Sequence, residues 1–250
     1  MLTKIGNNVK LSKQHGGFGI EILFPGTVDP GANDTGLGTI GRIDQAKVMP
    51  GTLIAMHPHR DDEILTYLRS GSVKHLDSEG ITEIISSSKL MMMNAGARFY
   101  HEEMVQEAGG VLEGLQIFIR PEQGGLQPRV QFHDLPEKFS SNKWRKIAGK
   151  DKDYPLQIRS DTHIQDIRLE KGSNETLPTI PGEHQTFLLY VFDGKIQVND
   201  EFTLEKGECV LIEGASPTFT ALQTSDIVLF VTSKEATYFE GGMYSGNLKN

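Results

Sequence analysis

Short runs of alternating apolar and polar residues, separated by glycine and proline turns, recur along this chain. In the first half they include GFGIEILFP at 17–25, AKVMPGTLIAMHPH at 46–59 and EILTYLRSGSVKHLDSEG at 63–80. Because side chains on a β-strand alternate between the two faces of a sheet, this pattern predicts half-buried strands. Regular short strands joined by glycine turns are typical of antiparallel sandwiches and jelly-roll barrels. The pattern therefore predicts an all-β fold, with the Gly-, Asp- and Asn-rich stretch 26–41 as a surface loop.

The same rhythm returns more weakly in the second half. The run FLLYVFDG at 187–194 parallels ILTYLRSG at 64–71, and both runs end at a glycine. Between the halves, residues 126–155 contain prolines, charges and scattered Gly and Ser, which predicts a linker. We therefore expect two antiparallel β-barrel domains in one chain, at residues 1–125 and 156–250, the second ending in a polar tail.

Two polar pairs interrupt the apolar alternation of the first half. His57 and His59 are separated by one residue, and so are His101 and Glu103. Residues i and i+2 of a strand face the same side, so neighbouring strands would bring three imidazoles and one carboxylate to one point. That ligand set suits a divalent transition metal, with Fe²⁺ a natural occupant and other divalent metals as alternatives. The competing interpretation is four unrelated polar residues on solvated strand faces.

Two further residues lie near these pairs in the sequence. Strand alternation places Glu63 on the face of His57 and His59, so we predict that it lines the pocket or supports the ligands from outside. A surface position and a direct ligand role are the alternatives for Glu63. His75 follows on the next strand and is a candidate for the pocket lining.

The second half has no matching ligands at the equivalent positions. Aligning Gly194 with Gly71 places Ile180 and Gly182 where the two histidines of the first pair stand. His184, beside a Pro-Gly turn, is interpreted as a surface residue. We therefore expect the second barrel to hold no metal.

Composition narrows the classes of partner. The net charge is −8, which argues against direct binding to a nucleic-acid backbone. The single cysteine, Cys209, excludes an intramolecular disulfide framework and a cysteine-rich zinc site. The N-terminus has no apolar signal-peptide segment, and no run approaches 18 apolar residues. A cytoplasmic protein that does not span a membrane is the expectation.

The two motifs resemble those of the pirin family in the cupin superfamily. The carrying segments are HPHRDDEILTYLRSG at 57–71, followed by His75, Asp77-Ser78 and Gly80, and NAGARFYHEE at 94–103. The resemblance implies two cupin folds, one metal-bearing and one empty. It also implies a set of metal ligands, of which the carboxylate would serve as the candidate base: His57, His59, His101 and Glu103.

The sequence departs from the family pattern at two places. Asp61-Asp62 stands where a small apolar or glycine-containing pair is usual, and Glu102 stands where a small residue is usual. We expect both departures to add negative charge near the mouth of the site, so a substrate preference cannot be carried over directly.

Two functions from different classes follow from this sequence. The resemblance implies a metal-dependent dioxygenase of the quercetinase type, which would take O₂ and a small molecule such as a flavonol at the open metal positions. The alternative is a non-enzymatic, iron- or redox-responsive or small-molecule-binding cupin that acts through a protein partner. No sequence feature identifies that partner.

Overall fold

The regular secondary structure of the described residues is almost entirely β-strand, which confirms the predicted fold class. The computed structural model describes residues 1–29, 31–182 and 184–249. Over these residues there is no α-helix, and three short 3₁₀ helices span Asn7–Val9, Pro25–Val28 and Glu107–Gly109. No helix within the described ranges has the length and apolarity needed to cross a membrane.

The strands follow one another at short intervals, as the alternation predicted. In chain order they are β1 (Leu2–Ile5), β2 (Leu11–His15), β3 (Phe18–Leu23), β4 (Ile40–Val48), β5 (Leu53–His59), β6 (Glu63–Ser70), β7 (Ser72–Asp77), β8 (Thr82–Ser86), β9 (Lys89–Asn94), β10 (Phe99–Val105), β11 (Leu112–Ile119), β12 (Arg129–Asp134), β13 (Arg145–Gly149), β14 (Leu156–Gln157), β15 (Thr162–Leu169), β16 (Asn174–Thr176), β17 (Gln185–Asp193), β18 (Lys195–Val198), β19 (Phe202–Glu205), β20 (Cys209–Glu213), β21 (Thr218–Ala221) and β22 (Ser225–Ser233).

These strands form one sheet in the first half and two in the second. The first sheet has the order β2-β3-β4-β11-β6-β9-β8-β7-β10-β5, with β12 also paired to β9. The second has the order β1-β20-β17-β22-β15-β13-β14, and the third β16-β21-β18-β19. The path of the first sheet ends at β5 without returning to β2, so in the described part of the chain this sheet is curled rather than a closed barrel.

The two halves of the chain exchange segments. The N-terminal strand β1 pairs with β20 of the second sheet. Residues 126–155, expected as a linker, contain β12, which pairs with β9, and β13, which pairs with β15. The N-terminal segment and the segment between the halves are therefore both built into the sheets.

The largest apolar core lies between the first and second sheets. It combines side chains of the first sheet, such as Leu65 and Met92, with side chains of the second, such as Leu188. Met91 and Met93 belong instead to a separate core within the first half. This division follows the alternation of strand β9, whose successive side chains point to opposite faces.

The prediction of a surface loop at 26–41 is wrong for its second part. Residues 35–41 are buried. Thr39 hydrogen-bonds through Oγ1 to Thr232 Oγ1 at 2.7 Å, and the Arg120 guanidinium donates to the Gly38 carbonyl at 3.1 Å. Contacts with Arg120 and with Thr232 of the second half therefore bury a segment whose composition is that of an exposed loop.

Candidate metal centre

The strand order of the first sheet places the polar pairs side by side. Strand β10 lies between β5 and β7. His101 is opposite His57 on β5 and opposite Asp77 on β7, while Glu103 is opposite His75. His101 and Glu103 are both buried, as expected for alternate residues on the inner face of β10. The two predicted pairs therefore lie on neighbouring strands.

Three imidazoles converge at this point. The ring centroids of His57, His59 and His101 are 4.4–4.9 Å apart. The Nε2 atoms of His59 and His101 are 3.0 Å apart. Two nitrogens bound at about 2.0–2.1 Å to one ion, at an angle of about 90–109°, lie roughly 2.8–3.4 Å apart. These side chains therefore fit a shared metal ion.

Glu103 lies on the other side of the His101 ring. Its Oε1 atom is 3.8 Å from His101 Nδ1, is buried and has no hydrogen-bond partner. The residues able to hold a metal thus form two groups that share His101, one with His57 and His59 and the other with His75 and Glu103. All four predicted ligands belong to this cluster, but they are divided between the two sides of one imidazole.

Burial sets the protonation of the central groups. Burial, reinforced by the neighbouring His59, His57 and His75, lowers the pKa of His101 to about 2. Burial also raises the pKa of Glu103 to about 7. His101 is therefore a neutral imidazole, the form in which histidine binds a metal.

Sequence comparison matches both halves of the chain to described domains. Residues 32–119 match the family model Pirin, and residues 147–231 match the model of the quercetinase C-terminal cupin domain. A quercetin 2,3-dioxygenase homologue of Zymomonas mobilis is 31% identical over 190 residues, which cover 74% of this chain and 79% of the relative. The chain belongs to the pirin family.

Solved structures of pirins share this fold. The bacterial pirin YhhW from Escherichia coli, in complex with nickel(II), superposes with a TM-score of 0.80 at 22% identity, covering 93% of this chain and 99% of YhhW. A quercetin 2,3-dioxygenase from Acinetobacter baumannii superposes with a TM-score of 0.73 at 26% identity, covering 90% and 84% of the two chains. The two-domain cupin architecture is therefore that of the pirins.

In this pirin, an outer hydrogen bond orients the ring of His57, whereas His59 lies near a carboxylate without bonding to it. His57 Nδ1 lies 2.9 Å from the Ala55 carbonyl oxygen and donates to it, which leaves Nε2 free for a metal. His59 Nδ1 is buried without a hydrogen-bond partner, and the nearest carboxylate is Asp62 Oδ2 at 3.9 Å. A metal on His59 Nε2 would place the ring proton on Nδ1, facing that carboxylate.

The C-terminal tail covers this edge of the site. The fully buried carboxylate of Asp62 accepts hydrogen bonds from the Tyr244 amide at 3.1 Å and from the Ser245 amide and hydroxyl at 2.8 Å each. The Tyr244 ring lies 5.2 Å from the His59 ring. The expected polar tail is therefore part of the wall of the site.

Asp61 and Asp62, which we expected to add negative charge near the mouth of the site, are not exposed there. Both side chains are buried. Asp61 Oδ1 accepts a hydrogen bond from the Gly125 amide at 2.7 Å, and Asp62 is occupied by the tail. Both carboxylates hold loops in place, because the turn after β5 is covered by later parts of the chain.

Glu63 has other partners than the histidines. Its buried carboxylate accepts hydrogen bonds from Asn94 Nδ2 at 2.6 Å and from the backbone and Nε of Arg159 at 2.9 and 2.6 Å. Burial raises the pKa of Glu63, and Arg159 opposes that rise. These contacts do not support the predicted pocket role, because the turn at residues 60–62 breaks the alternation on which it rested.

The second half carries apolar groups at the corresponding places. Ile180 is buried, Phe219, in the region that matches His101, is in the core, and His184 is exposed. Gly194 has a positive φ of 98°, like Gly71 with a φ of 73°, and each follows a long central strand. The predicted parallel between the two runs thus extends to the turns that end them.

Sequence reasoning made His75 only a candidate for the pocket lining, and the structure buries it fully within the cluster. Its Nδ1 lies 3.3 Å from His101 Nδ1, and its Nε2 lies 2.8 Å from Asp77 Oδ2. The available signal was the His75-x-Asp77 spacing, a third i, i+2 polar pair on an apolar strand.

Proposed function

We propose that this pirin is an iron-dependent dioxygenase of the quercetinase type. The observation that carries the proposal is the convergence of His57, His59 and His101 at metal-binding distance. These three residues would hold the ion, and Glu103 would complete the set after a change of side-chain rotamer. Relatives named quercetin 2,3-dioxygenase support the reaction class, for example one from Escherichia coli K12 at 27% identity over 178 residues. The cytoplasm is the proposed compartment.

A bound iron ion would supply the open positions at which O₂ and an enediol-like oxygen substrate meet. The protein supplies the proton acceptor. In the metal-free protein, burial raises the pKa of the Glu103 carboxyl to about 7, and its Oε1 atom has no competing donor. A group that titrates near the working pH is suited to accept the proton of a substrate hydroxyl.

The shape of the site indicates how a substrate would approach. The cavity beside Glu103 is lined by apolar side chains such as Ile54 and Val105, and its volume is about 50 Å³. Pockets for drug-sized ligands measure about 300–1,000 Å³. A flavonol therefore does not fit inside this cavity, and we place it on the half-buried His57 side.

Metal analysis combined with oxygen uptake tests the function. Anaerobically purified protein should contain one metal per chain and should consume O₂ with a member of a flavonol panel. His101→Ala should lose most of the metal and all turnover, because the remaining ligands no longer form a complete site. His184→Ala, at an exposed position in the second half, should retain both.

Other outcomes would contradict parts of this proposal. Two metals per chain, or loss of metal in His184→Ala, would show that the second half also binds. Retention of full metal content in His101→Ala would remove the proposed centre.

A second candidate is a metal-responsive binding protein without turnover. The observation that favours it is the exposure of Leu53 and Met56 on β5, the last strand of the first sheet and next to His57. Exposed apolar side chains on an edge strand are suited to contact with a protein partner. Stoichiometric metal without O₂ uptake on any flavonol would favour this candidate over the dioxygenase.

A further inference from the structure

We propose that Asp77 and His75 are positioning residues that fix the tautomer of His101. In this arrangement the ring proton of His101 stays on Nδ1, and the lone pair of Nε2 points at His57 and His59. The inference rests on the proposed metal centre and deepens it, because it states which residues prepare the shared ligand for the ion.

The chain of contacts begins at Asp77. Its Oδ1 atom accepts hydrogen bonds from the backbone amides of Glu79 and Ile81, both at 3.0 Å. These bonds hold the carboxylate within the turn that follows β7. Its Oδ2 atom is then 2.8 Å from His75 Nε2. Because a carboxylate only accepts, His75 must carry its proton on Nε2.

The contact between His75 and His101 makes the tautomer of His101 depend on that of His75. A neutral imidazole carries one N–H, so His75 Nδ1 is a lone pair. It lies 3.3 Å from His101 Nδ1, which must therefore be the donor. The only proton of His101 is then on Nδ1, and its Nε2 is an acceptor 3.0 Å from His59 Nε2.

Few other groups nearby can hydrogen-bond to Asp77, His75 or His101 in place of these contacts. His75 and His101 are fully buried, and Asp77 is only 5% exposed. The His75 ring stacks on Phe99 with an interplanar angle of 11°. Glu103 Oε1 is the other acceptor near His101 Nδ1, but at 3.8 Å it is beyond hydrogen-bond distance. Outer partners of this kind typically change metal affinity by about 10–100-fold.

The substitution Asp77→Asn reverses the direction of these hydrogen bonds with almost no change in the shape of the side chain. The amide oxygen can keep the two backbone bonds, while the amide nitrogen donates to His75 Nε2. The proton of His75 then moves to Nδ1, which faces His101 as a donor. His101 must then accept through an unprotonated Nδ1, so its ring proton lies on Nε2. Nε2 is the atom that would bind the metal.

Two measurements detect this change in the tautomer of His101. In ¹⁵N-histidine NMR of the metal-free protein, His101 should be the Nδ1–H tautomer in the wild type and the Nε2–H tautomer in Asp77→Asn. Titration with Zn²⁺, a diamagnetic probe, should show affinity about 10–100-fold weaker in the variant. An unchanged tautomer, or unchanged Zn²⁺ affinity, would overturn the proposal.

Two substitutions of His75, one with an acceptor and one without, give an independent test. His75→Asn places an amide oxygen near the position of Nδ1, so the Nδ1–H tautomer and a Zn²⁺ affinity within a few-fold of wild type are expected. His75→Phe keeps a ring but offers no acceptor, and it should bind Zn²⁺ at least about tenfold more weakly. Equal affinities in the two variants would contradict the role of His75.

These results separate the inference from the proposed function. Wild-type protein that binds no Zn²⁺ would remove the metal centre, and the tautomers of the metal-free protein would still decide the positioning role. Wild-type binding together with an unaffected Asp77→Asn would remove only the positioning role.

Discussion

At the scale of single residues, burial rather than sequence neighbourhood sets the chemistry of the cluster. Glu103 and His101 are two residues apart on one inner strand face, and both are held in the neutral form over much of the pH range. An isolated Oε1 atom without a donor is costly in a folded protein unless a proton or a metal compensates it. The contribution of Glu103 to the unfolding free energy of the metal-free protein is therefore the first quantity to measure.

Glu103→Gln should isolate this cost through its pH dependence. The folded pKa of Glu103 is about 7, above the ordinary value of 4.5. Its contribution to stability is thus fully present below about pH 4.5 and is lost as the pH rises through 7. Relative to the non-titrating variant, metal-free wild type should lose about 3 kcal/mol of unfolding free energy across that window.

Denaturant unfolding of both proteins in the presence of a chelator, at intervals from pH 4.5 to 8, provides the measurement. Comparing wild type with the variant cancels the histidines that titrate in the same range. A difference in unfolding free energy that stays constant with pH would show that Glu103 ionises normally.

At the scale of elements, the site depends on tight turns that redirect the chain from one strand to the next. Gly71 joins β6 to β7 with a positive φ of 73°, and a Cβ atom there would meet the Leu112 backbone at 2.5 Å. Gly80 has a similar φ of 81°, but a Cβ atom there would meet nothing within 4 Å. The two glycines therefore separate the cost of the backbone conformation from the cost of crowding.

Gly71→Ala and Gly80→Ala form a matched pair. Gly80→Ala should cost about 1–2 kcal/mol, the penalty of a left-handed conformation for a residue with a Cβ atom. Gly71→Ala should cost about 1–3 kcal/mol more, because β11 would have to move. Chemical denaturation of the two variants checks the order, and equal losses would show that the contact with Leu112 relaxes freely.

At the scale of the whole molecule, each end of the chain packs against the other half, and the C-terminal end reaches the site. Strand β1 adds to the second sheet, while the C-terminal tail returns to the first half and binds Asp62. His59 thus has its outer carboxylate fixed by residues more than 180 positions away in the sequence. The wall of the site beside His59 is therefore complete only when the C-terminal tail is in place.

Asp62→Ala should loosen this closure. The variant leaves the amides of Tyr244 and Ser245 without their acceptor, and a buried unsatisfied donor costs about 1–3 kcal/mol. We expect a loss of about 3 kcal/mol in stability and faster amide hydrogen exchange over residues 242–246. Asp62→Asn, which retains an acceptor oxygen, should lose less than half as much. Unchanged exchange in Asp62→Ala would show that the tail is held by other contacts.

The sequence by itself determined the local features of this protein. Alternation predicted the strands, the glycine runs predicted the turns, and the i, i+2 spacing predicted that His57 and His59 share a face, as do His101 and Glu103. These features have a range of a few residues, so the strand geometry encodes them directly. The resemblance of the same segments to pirins identified the family.

Only the tertiary structure decided which groups meet. Strand order set β10 between β5 and β7 and so brought His75 to His101, while alternation across a turn misplaced Glu63. Composition gave no sign that residues 35–41 are buried, that β1 crosses to the second sheet, or that the tail binds Asp62. These outcomes depend on pairing and packing between distant segments, whose contact free energies are not encoded in any one stretch of sequence.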